Sequence, residues 1–138
     1  MSRVLGIDPG TKRCGIAVTD SVPMMAFPRP AIARDDGTMA RLRELVDEEA
    51  IEVIVIGRPI ALSGRDTAST TDADHFFSQV QEHFDGVSVL QWDERLTTQE
   101  AQKSLSEAGL TSKASRERLD SAAAVIMLQN YVDGLNAE

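Results

Sequence analysis

Three acidic residues stand where a chain building only a core would not place them. Asp8 closes the apolar run that starts at Val4, Glu94 follows the run ending near Gln91 and Trp92, and Asp120 sits near the start of an otherwise apolar helical stretch. If the strands ahead of Asp8 and Glu94 lie parallel in one sheet, their C-terminal ends share an edge. A helix resting its first turn on that edge adds Asp120. Three carboxylates in so small a space repel one another and resist ionisation unless a cation joins them. Oxygen-only ligands of this kind suit Mg²⁺ or Mn²⁺, which keep several waters and complete their shell from substrate phosphate. The chemistry this implies is phosphodiester hydrolysis, in which two ions about 4 Å apart align a water and stabilise the leaving oxygen.

Each position also has a plainer explanation. Asp8 precedes Pro9 and Gly10 and suits a turn as well as it suits a ligand site. Strand alternation sends Asp93 and Glu94 to opposite faces, and the pattern alone does not say which faces inward. Asp120 is a favourable charge for a helix N-terminus. Among the neighbours, Gly10, Thr11 and Lys12 form a short loop that can admit a phosphate, although an ordinary hairpin turn explains it better. Arg58 and Arg65 on a long loop can grip a nucleic-acid backbone, as can Arg95, which suits an ion pair equally. His75 and His83 lie eight positions apart, not at the i, i+4 spacing of a helical metal site, and read as solvated. With aromatics at 4%, there is no stacking platform for single strands. The lone cysteine, Cys14, can form neither an internal disulfide nor a cysteine-built zinc site.

The elements that must position these groups follow from periodicity. Arg3 to Asp8 and Cys14 to Val18 read as a hairpin, and Met24 to Ala33 as an outer strand, because Pro28 and Pro30 lack a ladder N–H. Met39, Leu42, Leu45 and Val46 trace a helix with Thr38 as its expected N-cap. The β-branched run from Val53 to Ile56 suits a central parallel strand covered on both faces. The Gly, Pro, Ser and Arg residues between 57 and 67 form a long loop. Ser69 to Asp72 fits a capping box for a helix buried through Ala73, Phe76, Phe77, Val80 and Phe84 and stopped at Gly86. Val87 to Leu90 is a strand, Thr97 to Ala108 a further helix ending at Gly109, and about Arg116 to Leu135 a final helix packed on the sheet. The order gives an α/β chain with a five-stranded mixed sheet flanked by helices.

Length and charge set the remaining bounds. The 138 residues suit one domain, 1–138, and 42% hydrophobic residues can fill one core. No apolar stretch is long enough to span a membrane and no signal peptide is evident, so a cytoplasmic protein is expected. A net charge of −8 opposes general affinity for polyanions. The acids, however, concentrate in Glu44, Asp47, Glu48, Glu49 and Glu52, while Lys12, Arg13, Arg58, Arg65 and Arg95 lie beside strand ends, which leaves room for a basic rim.

Taken together, GIDPGTKRCGIAV, IGRPIALSGRD, WDERLTT and RLDSAAAVIML resemble, in order and spacing, the YqgF family, also called RuvX. The resemblance covers nearly the whole chain. It implies a ribonuclease H-like fold, with Asp8, Glu94 and Asp120 matching the family's catalytic acids, and it thereby selects Glu94 over Asp93. It also implies a nuclease trimming the 5′ end of precursor 16S rRNA during ribosome biogenesis, or, by likeness to RuvC, a Holliday junction resolvase acting on branched DNA. This chain departs from the family at Arg58, Ser63 and Cys14, which touches loop contacts and not the acids.

Two other readings compete. The first segment also resembles the phosphate loop of the sugar kinase, actin and Hsp70 superfamily, whose members bind ATP between two such domains where this chain supplies one. A non-catalytic nucleic-acid-binding factor would suit the acidic charge. A junction resolvase needs two facing sites, whereas either a monomer or a homodimer suits an RNA nuclease.

Overall fold

The computed structural model describes residues 3–10, 12–20, 25–58, 68–93 and 113–136; in the last segment, side chains are described for 121–134. The elements run β1 (Arg3–Pro9), β2 (Arg13–Thr19), β3 (Ala26–Ala33), α1 (Thr38–Glu48), β4 (Ile51–Arg58), α2 (Ala68–His83), β5 (Ser88–Asp93) and α3 (Lys113–Asn136). They form one five-stranded sheet in the order β3-β2-β1-β4-β5. β1 and β2 pair antiparallel, as do β2 and β3, while β1, β4 and β5 run parallel. The expected mixed sheet is present, with β3 and its two prolines on the edge. β4 is interior, as its β-branched run requires, but β1 occupies the middle of the five. The helix expected from Thr97 to Ala108 lies outside the described residues.

Two local expectations change. Thr38 is the first residue of α1 rather than its cap: Gly37 holds the cap position without a side-chain bond. The Thr38 hydroxyl accepts from the Asp35 N–H at 2.8 Å and donates to the Ala33 carbonyl at 2.7 Å, tying the helix start to the end of β3. α2 begins at Ala68, so Ser69 falls in its first turn, and the Asp72 carboxylate pairs with Arg34. Gly86, at φ +84°, supplies the left-handed turn after α2 that its sequence position suggested.

The two faces of the sheet are built differently. On one, Leu5, Ile7, Ile54 and Ile56 pack against Leu42 and Val46 of α1 and Phe76, Val80 and Phe84 of α2. Each such side chain contributes about 1.5–3 kcal/mol by leaving water. On the other, Val4, Ala17 and Val55 meet Ala124, Met127, Leu128 and Val132 of α3. Small residues let α3 sit close: a Cβ at Gly6 would stand 3.0 Å from the Leu128 Cβ.

Candidate active site

Strand alternation decides where Asp8 points. Leu5 and Ile7 belong to the α1/α2 core and Val4 to the α3 core, so Asp8, in phase with Val4, lies on the α3 face at the C-terminal end of the middle strand. It is half-buried and pairs across the ladder with Gly15 of β2. Among the described residues its carboxylate has no hydrogen-bond or ion-pair partner.

The direction of α3 brings its N-terminal half to the same end. Leu128 packs on Gly6, and the Gln129 amide oxygen accepts from the Ala26 N–H at 2.9 Å, at the start of β3. Eight residues earlier, the buried Ser121 hydroxyl accepts from the Ile16 N–H at 3.1 Å and donates to the Arg29 carbonyl at 2.7 Å. α3 therefore runs antiparallel to β1. Ile16 pairs with Ile7, so the bond from its N–H to Ser121 Oγ brings the α3 backbone beside position 120 to the end of β1 that carries Asp8. The Asp120 side chain itself lies outside the described residues.

The register places β5 beside them. Ile7 pairs with Ile56, and Ile56 with Gln91, so Asp8, Gly57 and Trp92 occupy the next row. Trp92 lies on the α3 side, edge-on to Tyr131 with centroids 5.6 Å apart. Gln91 points the other way and donates to Asp74 of α2 at 2.8 Å. Asp93, in phase with Gln91, is on the face opposite Asp8. Glu94 is outside the described residues.

Of the candidate cations, only Arg58 and Lys12 are described. Arg58 lies on the α2 face and makes a two-pronged pair with Asp74, Nε to Oδ1 at 2.9 Å and Nη2 to Oδ2 at 3.2 Å. That guanidinium, helped by the Gln91 amide, holds the Asp74 carboxyl below its ordinary pKa. Lys12 is exposed on the β1–β2 turn, and Arg65 and Arg95 lie outside the described residues.

The Gly10 turn follows the plainer of its two readings. The Gly10 N–H donates to the Arg13 carbonyl at 3.1 Å, and a Cβ at Gly10 would stand 2.5 Å from that oxygen. Glycine is needed there for the hairpin, and its N–H is committed within the turn.

Two residues give little sign of their role in the sequence. Arg34, at the end of β3, donates to the Gly10 carbonyl at 2.8 Å and grips both Asp72 oxygens at 3.0 and 3.1 Å. Its guanidinium lies 4.8 Å from the Phe76 ring centroid, and its backbone N–H donates to the Lys12 carbonyl. The turn after Asp8 is thereby fastened to α2. Burial pushes the adjacent Cys14 thiol up to about 11, only partly offset by Arg34, so it stays protonated and inert near neutral pH. Ser121 is the other. Its only signal is a polar residue beside Asp120 in a run of alanines.

Among the described residues no three His, Cys, Asp or Glu side chains form a metal-holding group. Of the three proposed ligands only the Asp8 side chain is described. A half-buried carboxylate with no partner among the described residues suits a hard divalent cation, and no described histidine or thiolate stands beside it to favour a softer one.

A family model described as RuvX: Holliday junction resolvase matches residues 2–134. The chain belongs to the RuvX family. RuvX relatives named "Putative pre-16S rRNA nuclease" include one from Corynebacterium jeikeium (strain K411), 37% identical over 133 residues, covering 95% of this chain and 86% of its own. Another, from Bacillus subtilis (strain 168), is 37% identical over 138 residues and covers 97% and 99%. Among solved structures, Thermus thermophilus RuvC in complex with a Holliday junction substrate aligns with a TM-score of 0.65 at 16% identity, over 99% of this chain and 96% of that one. The fowlpox virus Holliday junction resolvase aligns with a TM-score of 0.53 at 14% identity, over 96% and 99%. At such identities the likeness is one of fold, and the fold is the ribonuclease H-like one the sequence motifs implied. As a RuvX member the chain is a nuclease. No helix among the described residues is long and apolar enough to cross a membrane.

Proposed function

We propose that this chain is a divalent-metal-dependent nuclease that hydrolyses phosphodiester bonds in structured RNA, acting at the 5′ end of precursor 16S rRNA. The observation that carries the reading is the meeting of Asp8, without a partner among the described residues on the α3 face of the middle strand, with the N-terminal half of α3, pinned one residue from the Asp8–Gly15 row by Ser121. Asp8, Glu94 and Asp120 would hold Mg²⁺ or Mn²⁺. When bound, the ion supplies charge for the scissile phosphate and lowers the pKa of an attacking water. β1 supplies rigidity, since neighbouring strands on both sides restrain Asp8, and rigid support keeps a ligand in productive geometry. Lys12, Arg65 and Arg95 are proposed as phosphate contacts. Arg58, neutralised by Asp74, serves that role less well and instead ties β4 to α2. The RNA assignment follows the names of the full-length relatives, and soluble, single-domain operation in the cytoplasm is part of the same proposal.

Cleavage of precursor 16S rRNA by purified protein in Mn²⁺ or Mg²⁺, compared with Asp8→Asn, tests it. The expected outcome is metal-dependent cleavage by the wild type and a loss of more than about 100-fold in the variant, because a neutral amide replaces a ligand. Equal cleavage by both would refute the site.

A second reading, resolution of Holliday junctions, is favoured by the family description and by the RuvC fold likeness. A four-way DNA junction in the same assay separates the two. Preferential, paired cuts in the junction by a dimer would select the resolvase, and RNA cleavage without junction cleavage would select the RNA enzyme. Binding of either substrate without cleavage in any metal would leave a non-catalytic factor.

A further inference from the structure

The β2–β3 ladder carries an irregularity: Cys14 faces Ile32 and Ile16 faces Arg29, so two residues of β3, Pro30 and Ala31, stand opposite Gly15 alone. Such a bulge interrupts the ladder and leaves backbone groups needing other partners. Two groups of the pair that borders it, the Ile16 N–H and the Arg29 carbonyl, are joined by one fully buried hydroxyl, Ser121 Oγ, which accepts from the first and donates to the second. A hydroxyl has one proton to give and lone pairs to receive, so this single side chain serves both strands at once.

Apolar contacts alone leave α3 room to slide or roll. Alanine and methionine surfaces accept small axial shifts at little cost, whereas a two-bond polar pin between strands does not. Among the described residues, two side chains fasten α3 to strand backbone, Ser121 by two bonds and Gln129 by one. Gln129 holds the helix at Ala26, far from Asp8, and Ser121 holds it at Ile16, next in sequence to Gly15, the ladder partner of Asp8. Ser121 is also the residue next to position 120.

We infer that Ser121 is a positioning residue for the metal site: by pinning α3 to both strands beside the β2–β3 bulge it fixes the height of position 120 against Asp8. The inference rests on the metal-nuclease reading above. Ser121 touches neither ion nor substrate in this role; it sets the geometry of a residue that does. A displacement of about 1 Å in a reacting group can cost around 100-fold in rate, so a hydroxyl acting through the backbone has leverage on the site.

Mn²⁺ binding by calorimetry and thermal unfolding, measured on the full chain, test it with three substitutions: Ser121→Ala, Ser121→Thr and Gln129→Met. Ser121→Ala and Gln129→Met each remove one pin, and both are expected to lower Tm by about 5 °C. Only Ser121→Ala is expected to weaken Mn²⁺ binding, by about tenfold. Ser121→Thr, which keeps the hydroxyl, should retain affinity within about twofold of the wild type. Equal Mn²⁺ affinity in Ser121→Ala and wild type overturns the inference, as does an equal loss in Ser121→Ala and Gln129→Met, since that would mark a general stability effect. If Asp8→Asn abolishes Mn²⁺ binding while Ser121→Ala leaves it intact, the metal site stands and the positioning role falls. If the wild type binds no Mn²⁺, both fall together.

Discussion

The two faces of the sheet solve different problems. The α1/α2 face is filled by large branched and aromatic side chains, with Leu42, Phe76, Val80 and Phe84 over Leu5, Ile7, Ile54 and Ile56. Its polar groups, Arg34 with Asp72 and Arg58 with Asp74, pair with each other at the rim. The α3 face uses small residues, Gly6, Ala17 and Ala124, and polar pins into strand backbone, and at its end Asp8 carries no partner among the described residues. One face takes bulk and completes its charges internally. The other takes close approach and leaves Asp8 without a partner among the described residues. With the proposed site on the α3 face, stability and chemistry would be separated across a single sheet, so substitutions on the two faces should be separable by experiment.

The sharpest way to break that comparison is a matched pair of substitutions. Phe76→Ala empties a fully buried site on the α1/α2 face and is expected to cost about 3–5 kcal/mol of stability. Cleavage per folded molecule should stay near wild type. Gly6→Val drives a branched side chain into Leu128 and is expected to cost less stability, about 1–3 kcal/mol, while lowering cleavage more because α3 must move. Denaturant unfolding alongside cleavage rates checks both. A Phe76→Ala protein with the larger loss of rate would erase the distinction.

A smaller effect is expected where the α2 face reaches round to the site. Arg34→Met keeps the packing against Phe76 but leaves the Gly10 carbonyl and the Asp72 carboxylate without their donor. The expected cost is about 1–2 kcal/mol, with a modest fall in cleavage because the turn after Asp8 loses its fastening. An unchanged unfolding midpoint would show the latch to be idle.

The smallest effect concerns Cys14 and pH. Its folded pKa of about 11 lies above the 9.0 of an unperturbed thiol, so between those values the unfolded state gives up a proton that the native state keeps. The stabilisation is therefore fully present below pH 9 and is lost as pH rises through 11. Cys14→Ala should flatten that alkaline limb in thermal unfolding. In the native protein a thiol reagent at pH 8 should label Cys14 only after denaturant is added; rapid labelling beforehand would contradict the buried, protonated thiol.

Much of this arrangement is legible in the chain's local patterns. The prolines of β3 announce an edge because they lack a ladder donor, and the β-branched run of β4 announces an interior strand. The alternation of β1 is equally plain in sequence, but it leaves open what each face will meet. Ser121 illustrates the limit. A serine among alanines carries no sign that it will join two strands beside a bulge 105 residues away in sequence, because that contact depends on the register of two strands and the height of a third element at once. Arg34 is similar: an arginine after a strand reads as surface until Asp72 and the Gly10 carbonyl converge on it.

The sequence by itself determined the element types of the described segments, the mixed sheet and the hairpin turn at Gly10, because these follow from local periodicity and backbone sterics. Only the tertiary structure decided that Asp8 lies on the α3 face, that Asp93 lies on the other, and that Arg58 is consumed by Asp74. Those facts depend on strand register and helix placement, which arise from packing between residues far apart in the chain, and no local pattern encodes them.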